Sequence, residues 1–308
     1  MVYDVIVLGG GTSGIGAAIY AARFNLKILL LTKAKTGLIA TTHVIENYPG
    51  IKTATGPNFM NMFYDHLSVY KDNVETVEEE AIDATKKEKN YIIKTSKGSY
   101  EGKTIIFAMG SEHRKLNVPG EKEFANKGVS YCATCDGPLF KDKLVSVIGG
   151  ADSSAKEALF LTQHAKKVYI IYRREKIRPE PINLKRVEQK VKEGKIEIIN
   201  NTNVTEIKGE AFVNKVILDK PYKGNKELEL GGVFIAIGWI PKSDLAAKLG
   251  VKLDKSKNII VDRYAATNIP GIFAAGDITD DPFKQVITGT AQGVAAAFGA
   301  FNYIRESE

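Results

Sequence analysis

Cysteine is nearly absent: the 308 residues hold two, Cys132 and Cys135, too few for a disulfide-stapled scaffold. Histidine is scarce as well. His43, His66, His113 and His164 are dispersed with no closely spaced pair, so a four-ligand zinc site around the cysteines is disfavoured. Long apolar runs are missing. Ile28–Leu31 and Val294–Phe301 fall far short of the roughly 20 residues that span a bilayer. Met1 is followed by an apolar strand rather than by a basic stretch and cleavage site, which gives a cytoplasmic expectation. A net charge of +7 comes with no nucleic-acid motif, and its bases are mixed with acids, as in 78–89 and 185–195. That pattern is a solvated surface; no nucleic acid and no membrane partner is expected, although a basic face would help attract an acidic protein. The length exceeds one ordinary core and suits two domains.

What is present is one plan written twice. The first copy runs from the apolar strand Tyr3–Leu8 through Gly9-Gly10-Gly11-Thr12-Ser13-Gly14 into a small-residue helix, Ile15–Phe24, and a second strand, Lys27–Leu31. It closes on a strand over 104–110. The second copy opens with Leu144–Ile148, turns through Gly149-Gly150-Ala151-Asp152-Ser153-Ser154, and continues as a helix over Ala155–His164 and a strand over Lys167–Tyr172. It closes over 233–238. After Trp239 a short remnant carries Ile272–Asp277 and a long helix; too small to stand alone, it is assigned back to the first domain.

A glycine turn between strand and helix suits a dinucleotide. It allows a tight reversal, close backbone approach to a pyrophosphate, and exposed N–H groups at the helix start. The second turn is degenerate, with Ala151 and Ser154 at glycine places. The strand after it ends in Tyr172-Arg173-Arg174-Glu175-Lys176-Ile177-Arg178, and arginines there match the 2′-phosphate of NADP rather than the bare ribose of NAD. In the first copy Thr32-Lys33 stands where a ribose-binding acid is usual. FAD in the first copy and NADPH in the second is the consistent division, with Gly276-Asp277 offering a carboxylate and a helix start near the flavin nucleotide.

Cys132-Ala133-Thr134-Cys135-Asp136 is the chemical centre, since two intervening residues let a disulfide close within a helical turn and lower one thiol's pKa. Asp136 reads either as a proton donor and acceptor or as a helix cap.

This stretch, with Gly128-Val129-Ser130-Tyr131 before it and Gly137 after it, resembles the active site of low-molecular-weight thioredoxin reductases. Glu46-Asn47-Tyr48-Pro49-Gly50, the arginine turn, Gly276-Asp277 and Lys284-Gln285-Val286 extend the resemblance over essentially the whole chain. It implies an α/β fold of two Rossmann-like domains: a discontinuous FAD domain (1–114 and 239–308) with an NADPH domain carrying the dithiol (115–238) inserted. It implies that Cys132 attacks the substrate disulfide, Cys135 faces the flavin and Asp136 is the acid/base. FAD contacts carried over are Gly9, Gly11, Thr12, Ser13, Thr32, Gly37, Leu38, Asn47, Ala81, Ala108, Gly110, Gly276, Asp277, Lys284, Gln285 and Val286. Those for NADPH are Gly150, Asp152, Ser153, Ser154, Arg173, Arg174, Arg178, Ile237 and Gly238. The implied partner is thioredoxin or a thioredoxin-like or glutaredoxin-like protein, and the implied assembly a homodimer. The chain departs from the family pattern at Thr36-Gly37-Leu38-Ile39, at Met109, at Tyr172 and at Lys284.

Topology adds an expectation. Dithiol and NADPH site share one domain, and both must reach a flavin held by the other, so the domains should rotate about 112–116 and 238–241. An oxidase, or a flavin-binding scaffold with incidental turnover, needs no dithiol.

Overall fold

A computed structural model describes residues 1–35, 37–42 and 45–307. Thr36 and His43 therefore lie outside the described residues. The chain forms two compact units, 1–112 with 240–308, and 113–239.

The first unit opens with β1 (Val2–Leu8), α1 (Thr12–Arg23) and β2 (Ile28–Thr32), followed by α2 (Gly56–Ser68) and strands β3 (Val74–Glu78), β4 (Ala81–Lys87), β5 (Asn90–Thr95) and β6 (Ser99–Phe107). The crossing strand β7 (Ser111–His113) leads into the second unit: β8 (Val129–Ser130), α3 (Ala133–Asp136), β9 (Leu144–Ile148), α4 (Asp152–Leu161), β10 (Lys167–Ile171), α5 (Pro181–Lys192) and β11 (Ile196–Ile199). It ends with β12 (Val204–Gly209), β13 (Val213–Tyr222), β14 (Asn225–Glu229) and β15 (Gly232–Ile235). The chain returns through β16 (Trp239–Pro241), paired with β7, to α6 (Asp244–Lys248), β17 (Ile272–Ala274) and α7 (Val286–Ser307).

In the first unit the order β3-β2-β1-β6 is parallel, and β17 pairs with the end of β6. Both faces of β1 are covered, which is why it reads as a continuous apolar run. Val5 and Val7 enter the core under α1 and α7, whereas Ile6 and Leu8 enter the core on the other face. Small residues let α1 and α7 touch: a Cβ added at Gly293 would fall 2.0 Å from the Ser13 carbonyl oxygen. The second unit repeats the scheme with the parallel order β11-β10-β9-β15-β8, and the antiparallel β12-β13-β14 packs beside it.

The repetition extends to single hydrogen bonds. Gly9 N–H donates to Leu31 and Gly149 N–H to Ile171, while Ala108 N–H donates to Leu8 and Ala236 N–H to Ile148. Both helices begin earlier than the small-residue pattern suggests, at Thr12 and Asp152, because the chain passes directly from the extended caps Gly11 and Ala151 into helix. The last helix differs more from expectation. It starts at Val286, so no helix start lies at Gly276-Asp277.

Candidate active site

The dithiol segment is held by its own short-range bonds. Cys132 is in extended conformation as the cap of α3, and its sulfur accepts from the Cys135 N–H at 3.1 Å. The two cysteines are disulfide-bonded, with Cα atoms 5.3 Å apart. Cys135 is exposed and Cys132 half-buried. Just before them, the buried Ser130 hydroxyl accepts from the Cys132 N–H at 3.1 Å and donates to Asp136 Oδ2 at 2.6 Å. Of the two roles open to Asp136, the cap therefore falls to the Cys132 sulfur, and the carboxylate ends α3 bonded to a serine.

Tyr131 turns the other way. Its hydroxyl donates to the buried Glu121, which also accepts the N–H groups of Leu116 and Asn117, and Lys115 Nζ lies 3.8 Å from the centre of its ring. Burial, and then Glu121, pushes the phenol's pKa well above its ordinary value. The segment entering the second unit is thus tied to the residue before the redox cysteine.

On the opposite side α4 packs against α3 so tightly that a Cβ at Gly137 would meet Phe160 at 2.9 Å. Glu157 shares that face of α4, one turn before Phe160 and Leu161. Its Oε2 is enclosed without a hydrogen-bond partner among the described residues, and burial pushes the carboxyl's pKa up to about 8. Sequence reasoning missed Glu157, although an acid at i−3 and i−4 from two apolar residues was the available signal.

The two glycine turns share one backbone geometry. Gly9 and Gly149 have φ of +116° and +144°, which a side chain would strain. Gly11 and Ala151 have φ of −79° and −99°, which any residue adopts. At Gly11 an added Cβ meets nothing within 4 Å, so the space before α1 is open. Among the described residues neither helix has a side-chain cap, which suits their first N–H groups to receive an anion.

Several of the expected flavin-site residues meet around the first turn. A Cβ on Gly9 would fall 2.2 Å from the Ala108 oxygen, one on Gly276 would fall 2.4 Å from Ser13 Oγ, and one on Gly37, which precedes Leu38, 3.1 Å from Gly11. Asn47 Nδ2 donates to Gln285 Oε1 at 2.9 Å, and Lys284 Nζ to the Asp277 carbonyl at 2.8 Å. Burial raises the pKa of the Asp277 carboxyl, against the opposing charge of Lys284. Thr32 Oγ1 donates to the Ala34 carbonyl, and Tyr64, a residue not anticipated from sequence, donates its hydroxyl to Gly10 at 2.8 Å. Thr12 opens α1, Val286 opens α7, and Gly110 turns with φ of +66° after β6. Ala81 is not brought to the turn by a described contact; it packs with Met109 against the core on the other face.

At the second turn Arg178 N–H donates to the Gly150 carbonyl at 2.7 Å, so the arginine loop folds back onto the glycines. Arg173, Arg174 and Arg178 are exposed, and their side chains have no hydrogen-bond or ion-pair partner among the described residues. Asp152 faces away from such a role: its carboxylate accepts from Glu180 N–H, Asn183 and Lys156, fastening α5 to α4. Ser154 Oγ donates to the Ala151 carbonyl at 2.7 Å, and Ser153 lies in the first turn of α4. Ile237 and Gly238 follow β15 where Met109 and Gly110 follow β6.

The family profile described as "Pyridine nucleotide-disulphide oxidoreductase" matches residues 3–293. A thioredoxin reductase of Peptoclostridium litorale is 39% identical over 316 residues, covering 99% of this chain and 98% of its own. Among solved structures, the Lactococcus lactis thioredoxin reductase in its "FR conformation" superposes with a TM-score of 0.92 at 37% identity, covering 99% of both chains. The T. acidophilum thioredoxin reductase reaches 0.90 at 35% identity and 98% of both chains.

Proposed function

The chain belongs to the pyridine nucleotide-disulphide oxidoreductase family, and from that premise we propose that it passes electrons from NADPH through FAD to the Cys132–Cys135 disulfide. The final acceptor is thioredoxin or a thioredoxin-like or glutaredoxin-like protein. The observation that carries the reading is a disulfide exposed at Cys135, with a carboxylate fixed beside it, in the unit that also holds an arginine-flanked dinucleotide turn.

The residues fit both cofactors. In the first unit the open space over Gly11, the uncapped start of α1 and the converging Ser13, Gly37 and Gly276 suit the pyrophosphate of FAD. Asp277, Lys284, Asn47 and Gln285 supply donors and acceptors nearby. In the second unit Gly150, Ala151 and the start of α4 would hold the NADPH pyrophosphate, and Arg173, Arg174 and Arg178 its 2′-phosphate. Bound FAD supplies the exchange between a hydride donor and a two-electron disulfide acceptor. The chain's own residues do the sulfur chemistry: Cys132 attacks the partner disulfide, Cys135 resolves the mixed disulfide, and Asp136 moves the protons.

A homodimer carries over from the family resemblance, and with the cytoplasmic address expected from the sequence it belongs to the same proposal. No helix among the described residues is long and apolar enough to cross a membrane.

The test is steady-state reduction of thioredoxin by the purified holoprotein with NADPH. Cys132→Ser and Cys135→Ser should each abolish turnover while the protein keeps its FAD. Native turnover in either variant would overturn the dithiol pathway.

A further inference from the structure

Ser130 is placed to do more than shape the turn before Cys132. Its oxygen lies 2.6 Å from Asp136 Oδ2, 3.1 Å from the Cys132 amide nitrogen and 3.3 Å from the Cys132 carbonyl oxygen. A hydroxyl has one proton to give and two lone pairs to accept with. One lone pair is taken by the Cys132 N–H whatever else happens. The remaining lone pair and the proton can then be used in two ways. When Asp136 is ionised, the serine proton points to Oδ2. When Asp136 is protonated, its own O–H donates to the serine oxygen, and the serine proton swings to the Cys132 carbonyl. The first state makes two bonds at the serine and the second makes three, and neither moves a heavy atom.

We propose that Ser130 is a positioning residue for proton transfer at the dithiol, its hydroxyl exchanging donor and acceptor roles as Asp136 loses and regains a proton. The inference rests on the reading of Asp136 as the acid/base of disulfide exchange. In that reaction the Cys132 thiolate attacks the partner disulfide; one partner sulfur bonds to Cys132, and the other leaves as a thiolate that takes the Asp136 proton. The Asp136 carboxylate then removes the proton of the Cys135 thiol. The Cys135 thiolate attacks Cys132 Sγ, and the second partner thiolate departs with that same proton. The balance is one disulfide made in the enzyme, one broken in the partner and two partner thiols released. Asp136 changes protonation three times in each passage and must stay in place throughout. A neighbour limited to one bonding role would favour one of its states and slow the step that leaves it.

Four other groups bear on a pH profile here. From α3 come the two thiols, from the preceding segment Tyr131, whose proton is committed to Glu121, and from α4 comes Glu157. Glu157 stays in every variant, so its inflection is common to all of them.

The experiment compares Ser130→Ala and Ser130→Thr, each alone and combined with Asp136→Asn, in thioredoxin reduction by the holoprotein over pH 5.5–9.5. Far-UV circular dichroism and flavin content monitor folding. Loss of a hydrogen bond to a charged group corresponds to about ten-fold in rate. Ser130→Ala should therefore lower kcat about ten-fold and displace the acid limb of the profile upward, because the carboxylate has lost its donor. Ser130→Thr, which retains the hydroxyl, should restore both. In the Asp136→Asn background Ser130→Ala should cost nothing further. An equal loss in both backgrounds, or a displaced rate with an unmoved pH profile, would reduce Ser130 to a structural element of the turn and overturn the proposal. Full activity without Cys132 would instead strike at the dithiol reading itself.

Discussion

At the residue scale, Gly11 and Ala151 show how a degenerate motif can keep its backbone geometry. Both cap a helix with negative φ, so alanine costs nothing in backbone strain. The methyl of Ala151 restricts only how closely a phosphate can approach. On the proposed function, the burden of NADPH recognition then shifts to the arginines, which the Arg178–Gly150 backbone bond brings beside the turn. Replacing Arg173 and Arg178 together by alanine should raise the KM for NADPH by ten-fold or more while leaving that for NADH nearly unchanged. Each guanidinium–phosphate contact is worth roughly 1.5–3 kcal/mol. Initial-rate kinetics with both nucleotides checks this, and an equal loss for both would remove the arginines from 2′-phosphate recognition. The cysteine pair was legible in the sequence because its meaning lies in spacing along the chain. Tyr64 was not. It reaches Gly10 across 54 positions, and only the fold makes them neighbours. Glu157 and Glu121 stayed hidden for the same reason: burial gives each its character, and neither belongs to a motif.

At the scale of elements, alternating apolar strands and small-residue helices announced both βαβ units, since a strand covered on both faces must be apolar throughout. Boundaries were less legible. The helices start three residues early because the glycine turn itself delivers the chain into helix, and the last helix starts late because 277–285 forms a loop closed by the Lys284–Asp277 bond. The packing of α1 on the first turn depends on Gly14. A Cβ there would fall 1.8 Å from the Gly9 carbonyl oxygen, which is backbone and can yield only if α1 moves. Gly14→Ala should destabilise the protein by roughly 1–3 kcal/mol or more and strip it of FAD on purification. Thermal melting and the 450 nm absorbance of the purified variant check this; a native Tm with full flavin content would show that α1 has room to spare.

For the whole molecule, the decisive fact is that the dithiol and the arginine-flanked turn belong to one unit, 113–239, while the residues suited to FAD belong to the other. On the proposed function, both must reach one flavin in turn, and the motion must pass through the two paired crossings, β7 and β16. The chain's single tryptophan, Trp239, sits there with its ring centre 4.0 Å from that of His113. Binding of NADP⁺ should therefore change tryptophan emission; an unaltered spectrum at saturating NADP⁺ would mean that these crossings do not move. The electron path itself is tested most directly by counting thiols. The oxidised holoprotein, kept anaerobic, receives one equivalent of NADPH and then an alkylating reagent, and is read by mass spectrometry. Two adducts, at Cys132 and Cys135, are predicted, and prior addition of one equivalent of oxidised thioredoxin should move both adducts to thioredoxin. Consumption of NADPH with Cys132 and Cys135 still disulfide-bonded would contradict the account.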